Sequence, residues 1–374
     1  MRIIIGADLV PTESNVELFN KGDVTSLVGN KIRKELEEAD FRIFNLELAL
    51  TDKQTPIRKA GPNISAPTST IAGYKALQVD LLGISNNHIL DHGYIGFVST
   101  LNTLDDARIK HVGAGFTKEE AVKPVFFEKD GVKVGVYACC EHEFSWIEDY
   151  GFGANGFDPL DTLDEIAQAK AECDYLIVLY HGGKEHYAYP SPRLVKVCRK
   201  IVDNGADIVL CQHTHCVGTE EDYKGGKIIY GQGNFIFAKK YANVPTWGLG
   251  MLVRIDINAG EATKYNFIPY KSTDCGIEYD ESGEVIDGLR KRSLEIKEDG
   301  FIEKSFEKLA EETVVSRYVQ HILGHYPTEE ETYKQLIGWF HFAECEVHHE
   351  CLITGLRAKG KLGRFGEFQN LNEK

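Results

Sequence analysis

None of the nine cysteines falls in a Cys-x-x-Cys pair, and one couple, Cys139 and Cys140, is adjacent. An odd set of thiols without that spacing points to buried cysteines in a reducing compartment and away from a secreted disulfide scaffold. Phosphate-cradling motifs are missing too. The sequence has no P-loop, and Gly113-Ala114-Gly115 fails as a dinucleotide fingerprint because Lys118 stands where the third glycine is required. Positive charge is scarce: 42 Lys and Arg against 57 Asp and Glu leave a net charge of -15, which argues against nucleic acid as a partner. No apolar run is long enough to span a bilayer, and the chain opens on the strand-like Arg2-Ile3-Ile4-Ile5. The expectation is a cytoplasmic protein without membrane insertion. Internal repeats and low-complexity tracts are also absent.

What is present is an ordinary globular balance, 43% hydrophobic and 26% charged over 374 residues, enough for one large domain and an appendage. Its most informative feature is His213-Thr214-His215, directly after the apolar Asp207-Ile208-Val209-Leu210 and Cys211-Gln212. Residues two apart on a strand share a face, so the two imidazoles leave one sheet edge together. Alone, such a pair is as consistent with a surface or core role as with metal binding.

The same punctuation recurs four times. Ile3-Ile4-Ile5-Gly6 runs into Asp8, and Phe41-Arg42-Ile43-Phe44 into Asn45 and Glu47. Leu81-Leu82-Gly83-Ile84 runs into Asn86-Asn87-His88, and Tyr175 to Tyr180 into His181. In open α/β sheets, ligands bind beyond the carboxyl ends of the strands, so five such ends can converge on one site. Individually, Asp8 and Asn45 also suit turns or caps, Glu47 a solvated loop, and His88 and His181 satisfied histidines. Together they supply oxygen and imidazole donors without thiolate, a set suited to one or two ions of Mn, Zn or Fe. Asp8 and Glu47 are the available acids, Asn87 the neutral amide, and His181, His213 and His215 the nitrogens. Such a centre activates water for attack on phosphorus or a carbonyl.

These residues, in order, resemble the CapA family of capsule and poly-γ-glutamate biosynthesis proteins. The resemblance rests on Asp8, Asn45-Leu46-Glu47, Asn86-Asn87-His88 with Asp91, His181-Gly182-Gly183 with Glu185, His213-x-His215 and Tyr230-Gly231-Gln232-Gly233-Asn234-Phe235, across roughly residues 1 to 270. It implies a calcineurin-like metallophosphatase fold, a four-layer αββα sandwich with the site at the strand ends. By that pattern Asn87 ligates a metal and His88 stands by the leaving group as general acid. His213 and His215 divide between two metals, and Glu47 takes the bridging place. Lys59, in Lys59-Ala60-Gly61-Pro62, resembles the family's Lys-x-Gly-Pro loop. Asn45, Asn86, Asp91, Lys59, Glu185, His142 and Asn234 are the expected substrate contacts or supports of the ligands. Two positions depart from the pattern. Leu9 and Val10 follow Asp8 where metallophosphatases carry Asp-x-His, and Cys211-Gln212 replaces the usual Gly-His. Many relatives carry an N-terminal membrane anchor, for which this sequence shows no segment.

Helical spacing predicts helices over 23–38 with Asp23 as N-cap, 68–78, 93–107, 161–171 and 193–204. Lys129-Asp130-Gly131 reads as a hairpin turn. From 227 to 270 the pattern is successive strands, expected to form a second sheet closing the sandwich. After Tyr270, residues 284–297, 301–323 and 328–356 read as a helical appendage, with Pro327 between the last two, so 1–270 and 271–374 are the expected domains. His341, Cys345, His348 and His349 fall on one helical face and can ligate a metal, but Trp339, Phe340, Phe342 and Leu352 favour a packing helix with incidental histidines. The tail from 358 to 374, rich in glycine and lysine, reads as loosely ordered. Cys211 and Cys216 read as packed thiols. The function expected is a metal-dependent hydrolase acting on a phosphoester or a γ-glutamyl-type amide, in a small molecule or a glutamyl polymer. The alternative is a catalytically weak, metal-containing binding or assembly protein in polymer biosynthesis.

Overall fold

A computed structural model describes residues 1–237, 244, 246–320 and 328–360. Pro327, the end of the helix expected to reach Leu323, and the tail beyond 360 lie outside the described residues.

Two sheets form the frame. The first runs in the order Ile277–Tyr279, Lys264–Ser272, Leu249–Asp256, Arg2–Val10, Phe41–Asn45, Leu81–Gly83, Lys110–Val112, and Asn234–Phe237 also pairs with Arg2–Val10. The second runs Glu220–Tyr223, Gly226–Ile229, Ile208–Gln212, Tyr175–His181, Val132–Cys140, Val125–Lys129. The central strands of both sheets are parallel, so their carboxyl ends open on one side.

Strand alternation sorts the apolar side chains into layers. Ile3, Ile5, Ile43, Leu81, Val134, Val136, Ile177 and Leu179 fill the space between the sheets. Their neighbours Ile4, Phe44 and Leu82 point outward to pack against Phe19, Ile32, Tyr74 and Phe97 of the outer helices. On the other outer face, Leu176, Val178 and Val209 meet Ile166, Leu194, Cys198 and Ile201. Both faces of both sheets are therefore covered, which is why the central strands read as unbroken apolar runs. Burying each such side chain stabilises the fold by roughly 1.5–3 kcal/mol. The architecture is the four-layer αββα sandwich that the resemblance implies, with helices following it at the C-terminal end.

Some expectations need correcting. Among the described residues after 226, Gly226–Ile229 is the one strand that joins the second sheet. Leu249–Asp256 and Lys264–Ser272 extend the first, because Leu249–Asp256 pairs antiparallel with the N-terminal strand, Ile3 opposite Ile255. The helix expected over 23–38 is two helices, Val24–Leu27 and Asn30–Glu37. Val28 is extended between them, and the Gly29 N–H donates to the Ile277 carbonyl at 2.9 Å, so pairing with the sheet edge outweighs helix continuation. Asp23 does cap its helix, accepting from the Ser26 N–H. The helix at Gly93–Ala107 and the hairpin at Asp130-Gly131, both with positive φ, are as read from the sequence.

The C-terminal helices are Glu284–Glu295, Phe301–Thr313 continuing through a π-helical stretch at Val314–Val319, Glu329–Glu344 and Glu346–Gly360. The continuous helix expected over 328–356 breaks at Cys345, which is extended at φ -65° and ψ 121°. Phe306, Ala310, Val314, Tyr318, Phe342 and Cys351 form a separate small core there.

Candidate metal centre

Parallel pairing brings the motif ends together. Asp8 lies in register with both Asn45 and Asn234. Asn45 Nδ2 donates to Asp8 Oδ1 at 2.7 Å, and Asn86 Nδ2 donates to Asn45 Oδ1 at 3.1 Å and to the Leu46 carbonyl at 2.8 Å. Asn86 Oδ1 accepts from the His88 N–H at 3.1 Å. Asn45 and Asn86 thus tie the strand that carries Asp8 to the loops that carry Glu47 and His88.

From the second sheet, His181 Nε2 lies 3.1 Å from Asn87 Oδ1 and 3.3 Å from Glu47 Oε1. The His181 and His213 rings are 4.9 Å apart between centroids. His215 Nδ1 lies 3.3 Å from Asp8 Oδ2 and 2.8 Å from Asn234 Oδ1. Two donor groups result, Glu47 with His181 and His213, and Asp8 with Glu47 and His215, each with ligand atoms within 4.8 Å of one another. Glu47 belongs to both.

The residues present fit a cation. Asp8 Oδ2, both carboxylate oxygens of Glu47 and His213 Nδ1 are buried without a hydrogen-bond partner. Leaving such atoms unpaired carries a desolvation penalty that a bound ion removes. Burial and the nearby Asp8 push the Glu47 carboxyl well above its ordinary range. Burial pushes the His181 imidazole well below its own, the neutral form a ligand needs. At His215, burial acts downward but the charges of Glu47 and Asp8 outweigh it and raise the imidazole to about 10.

His213 and His215 hold φ of 78° and 54°. Left-handed backbone at non-glycine residues costs of order 1–3 kcal/mol each and collects at functional sites. The two positive-φ histidines, one on each side of Thr214, bring both rings into the crevice, and no residue pattern announces that backbone conformation. Gly183, at φ 106°, turns the chain after His181, and its N–H donates to Glu141 Oε2 at 3.0 Å.

Beside the donor groups, His88 Nδ1 lies 2.6 Å from Asp91 Oδ2. Lys59 Nζ donates to Asp91 Oδ1 and, at 3.0 Å, to the Asn87 carbonyl. Burial, followed by the Lys59 charge, lowers the His88 imidazole. Glu185 lines the same cavity of about 680 Å³; burial opposes its ionisation, but His213 and His215 hold its carboxyl down at about 2.

His142 does not join the site. Its ring stacks on Trp146 at 3.9 Å and its Nε2 pairs with Asp149 at 3.0 Å, because it points away from the crevice that its neighbour Glu143 enters. Glu143 Oε1 lies 3.7 Å from His213 Nε2. Sequence reasoning placed His142 there instead of Glu143; the strand ends at Cys140 and the chain bends over 142–144, so strand alternation does not decide which of these side chains enters. Arg317, His341 and His348 of the C-terminal helices also line the cavity. Only a long-range contact could have shown that.

Residues 4–239 match the family described as bacterial capsule synthesis protein PGA_cap. The chain belongs to this family. Among curated relatives, it is 30% identical over 223 residues to the capsule biosynthesis protein CapA of Bacillus anthracis, covering 57% of this chain and 54% of the relative. It is 29% identical over 209 residues to the PGA biosynthesis protein CapA of Bacillus subtilis, 53% of each. A probable polyglutamine synthesis accessory protein of Mycobacterium tuberculosis is 27% identical over 219 residues, 53% of this chain and 55% of that one. The PGA_cap chain spans about half the length of the curated relatives it matches. A hypothetical protein of Thermus thermophilus superposes with a TM-score of 0.46 at 14% identity, over 73% of this chain and 100% of the other. Among the described residues, no helix is long and apolar enough to cross a membrane.

Proposed function

We propose that this PGA_cap protein is a metal-dependent hydrolase of capsule or poly-γ-glutamate metabolism, acting on a phosphoester or a γ-glutamyl-type amide. The observation that carries the reading is Glu47, buried with no hydrogen bond to either oxygen and shared by two imidazole-bearing donor groups. Asp8, Glu47, Asn87, His181, His213 and His215 would hold one or two divalent ions, which supply an acidified water and a Lewis acid. The protein's own contribution is placement. Asp91 fixes one ring nitrogen of His88, leaving the other for a leaving-group oxygen or nitrogen, and an anionic substrate arriving there raises the His88 imidazole toward the range a general acid needs. Against its burial, His88 and then Lys59 hold the Asp91 carboxyl below its ordinary range. Residues 1–270 would carry the chemistry and the C-terminal helices would shape access to it.

A second reading is favoured by Val10, which occupies the Asp-x-His position and is wholly buried in the apolar core. The Asp8 group therefore has one imidazole where metallophosphatases have two, which suits a weakly active binding or assembly protein. The deciding experiment is a panel of phosphomonoesters, phosphodiesters and γ-glutamyl peptides with added Mn or Zn, beside His181→Ala and Asn87→Ala. Turnover of one class, lost in both variants, supports the hydrolase. No turnover by metal-loaded protein that binds a glutamyl polymer tightly replaces it with the binding protein.

A further inference from the structure

Outside the two donor groups, Glu143, His341 and His348 bring one carboxylate oxygen and two imidazole nitrogens within 4.8 Å of one another. Glu143 comes from the segment after Val132–Cys140 in the second sheet, His341 from the last turn of Glu329–Glu344, and His348 from the first turn of Glu346–Gly360. In one straight helix, residues seven apart are separated by about 10 Å along the axis. Here the extended Cys345 folds the second helix back, and the two ring centroids stand 4.6 Å apart. The break in the helix is what builds the cluster.

Each member is arranged as a ligand. His341 is 9% exposed, and its Nδ1 is buried with no hydrogen-bond partner. His348 is 3% exposed, and its Nδ1 lies 2.9 Å from the Tyr318 hydroxyl, which fixes the ring and leaves Nε2 for another contact. Glu143 is 9% exposed, and its Oε1 lies 3.7 Å from His213 Nε2. Two imidazoles and one carboxylate are the three-ligand set of an open zinc site, whose bonds of about 2 Å place donors roughly 3–4 Å apart.

We infer that Glu143, His341 and His348 bind a further divalent transition-metal ion of the zinc class, which ties the C-terminal helices to the mouth of the crevice. The site is independent of the hydrolase reading, since it shares none of the six residues of the strand-end centre. Its open position faces the cavity lined by Glu185, His186 and Arg317, where a substrate oxygen or water can complete the coordination.

The test is a zinc count on the full chain, stripped with chelator, reloaded with zinc, desalted and analysed for bound metal. His341→Gln with His348→Gln should carry one equivalent fewer than the wild type, while His213→Ala with His215→Ala should retain one equivalent that disappears when all four changes are combined. An unchanged count in folded His341→Gln, His348→Gln protein overturns the inference. Should that variant fail to fold, the His213→Ala, His215→Ala protein decides, with one equivalent supporting the site and none refuting it. A strand-end centre that binds nothing gives a different pattern, in which His213→Ala, His215→Ala matches the wild type and the glutamine variant alone loses metal.

Discussion

Asp91 holds His88 through Oδ2 at 2.6 Å while its other oxygen takes the ammonium of Lys59, and all three side chains are nearly cut off from solvent. One buried carboxylate thus positions a candidate acid and neutralises a buried cation. The two duties are separable by mutation.

His88→Ala should reduce turnover by about 10²–10⁴-fold, the usual worth of general acid catalysis, and leave bound metal unchanged. Steady-state kinetics on the substrate found active, with elemental analysis of the same sample, checks it. Metal falling together with activity would make His88 a ligand.

Asp91→Asn removes the charge but keeps the shape. It leaves Lys59, 1% exposed at its side chain, without its counter-charge, and breaking such a pair from one side costs about 3–5 kcal/mol. Denaturant unfolding should show that loss, and Lys59→Met in the same chain should recover a large part of it. Equal stability of the single and double variants would mean that the ammonium finds another partner.

Glu47→Gln should lower metal content more than His213→Ala does, because Glu47 serves both donor groups and His213 one. Zinc or manganese titration of chelator-stripped protein reads the difference. Identical losses would remove Glu47 from the bridging place.

Glu141 supplies a pH dependence. Burial, then the neighbouring Glu346, raises its carboxyl from an ordinary 4.5 to about 8. The folded state therefore favours the protonated form, so the associated stability is full below the unfolded value and is lost as pH rises toward about 8. Glu141→Gln keeps an acceptor for the Gly183 N–H and cannot ionise. Its melting temperature relative to the wild type should climb between about pH 5 and about pH 8; calorimetry at both ends is the check, and a flat difference would place the titration elsewhere.

The layers and the donors were legible because strand ends in parallel sheets must converge, so Asp8, Glu47, Asn87, His181 and His213 were found from apolar runs that stop at polar residues. Period-two alternation and helix caps such as Asp23 are local signals. What escaped was non-local. Val28 leaves its helix to pair with Ile277, nearly 250 residues away in sequence, and the strands from Asn234 onward join the first sheet because Asn234–Phe237 and Leu249–Asp256 both pair with the N-terminal strand. His341 and His348 reach the cavity only because Cys345 interrupts a segment whose spacing reads as one helix.

Glu47 descends from the first sheet, whereas His181 and His213 follow strands of the second. An ion held by all three would rivet two layers that otherwise meet mainly through apolar packing, with a few hydrogen bonds such as Tyr175 to Tyr265 at 2.8 Å and Gln212 to the Gly6 carbonyl at 3.4 Å. Neither layer alone could keep it, and sliding one against the other by a fraction of an ångström would release it. Occupancy and thermal denaturation then become a single linked equilibrium, with each tenfold excess of free ion over its dissociation constant adding about 1.4 kcal/mol to the folded state. Metal affinity in this chain would report on the registry of the whole sandwich, and a mutation deep between the sheets, far from any donor, would be felt first as a looser grip on the ion.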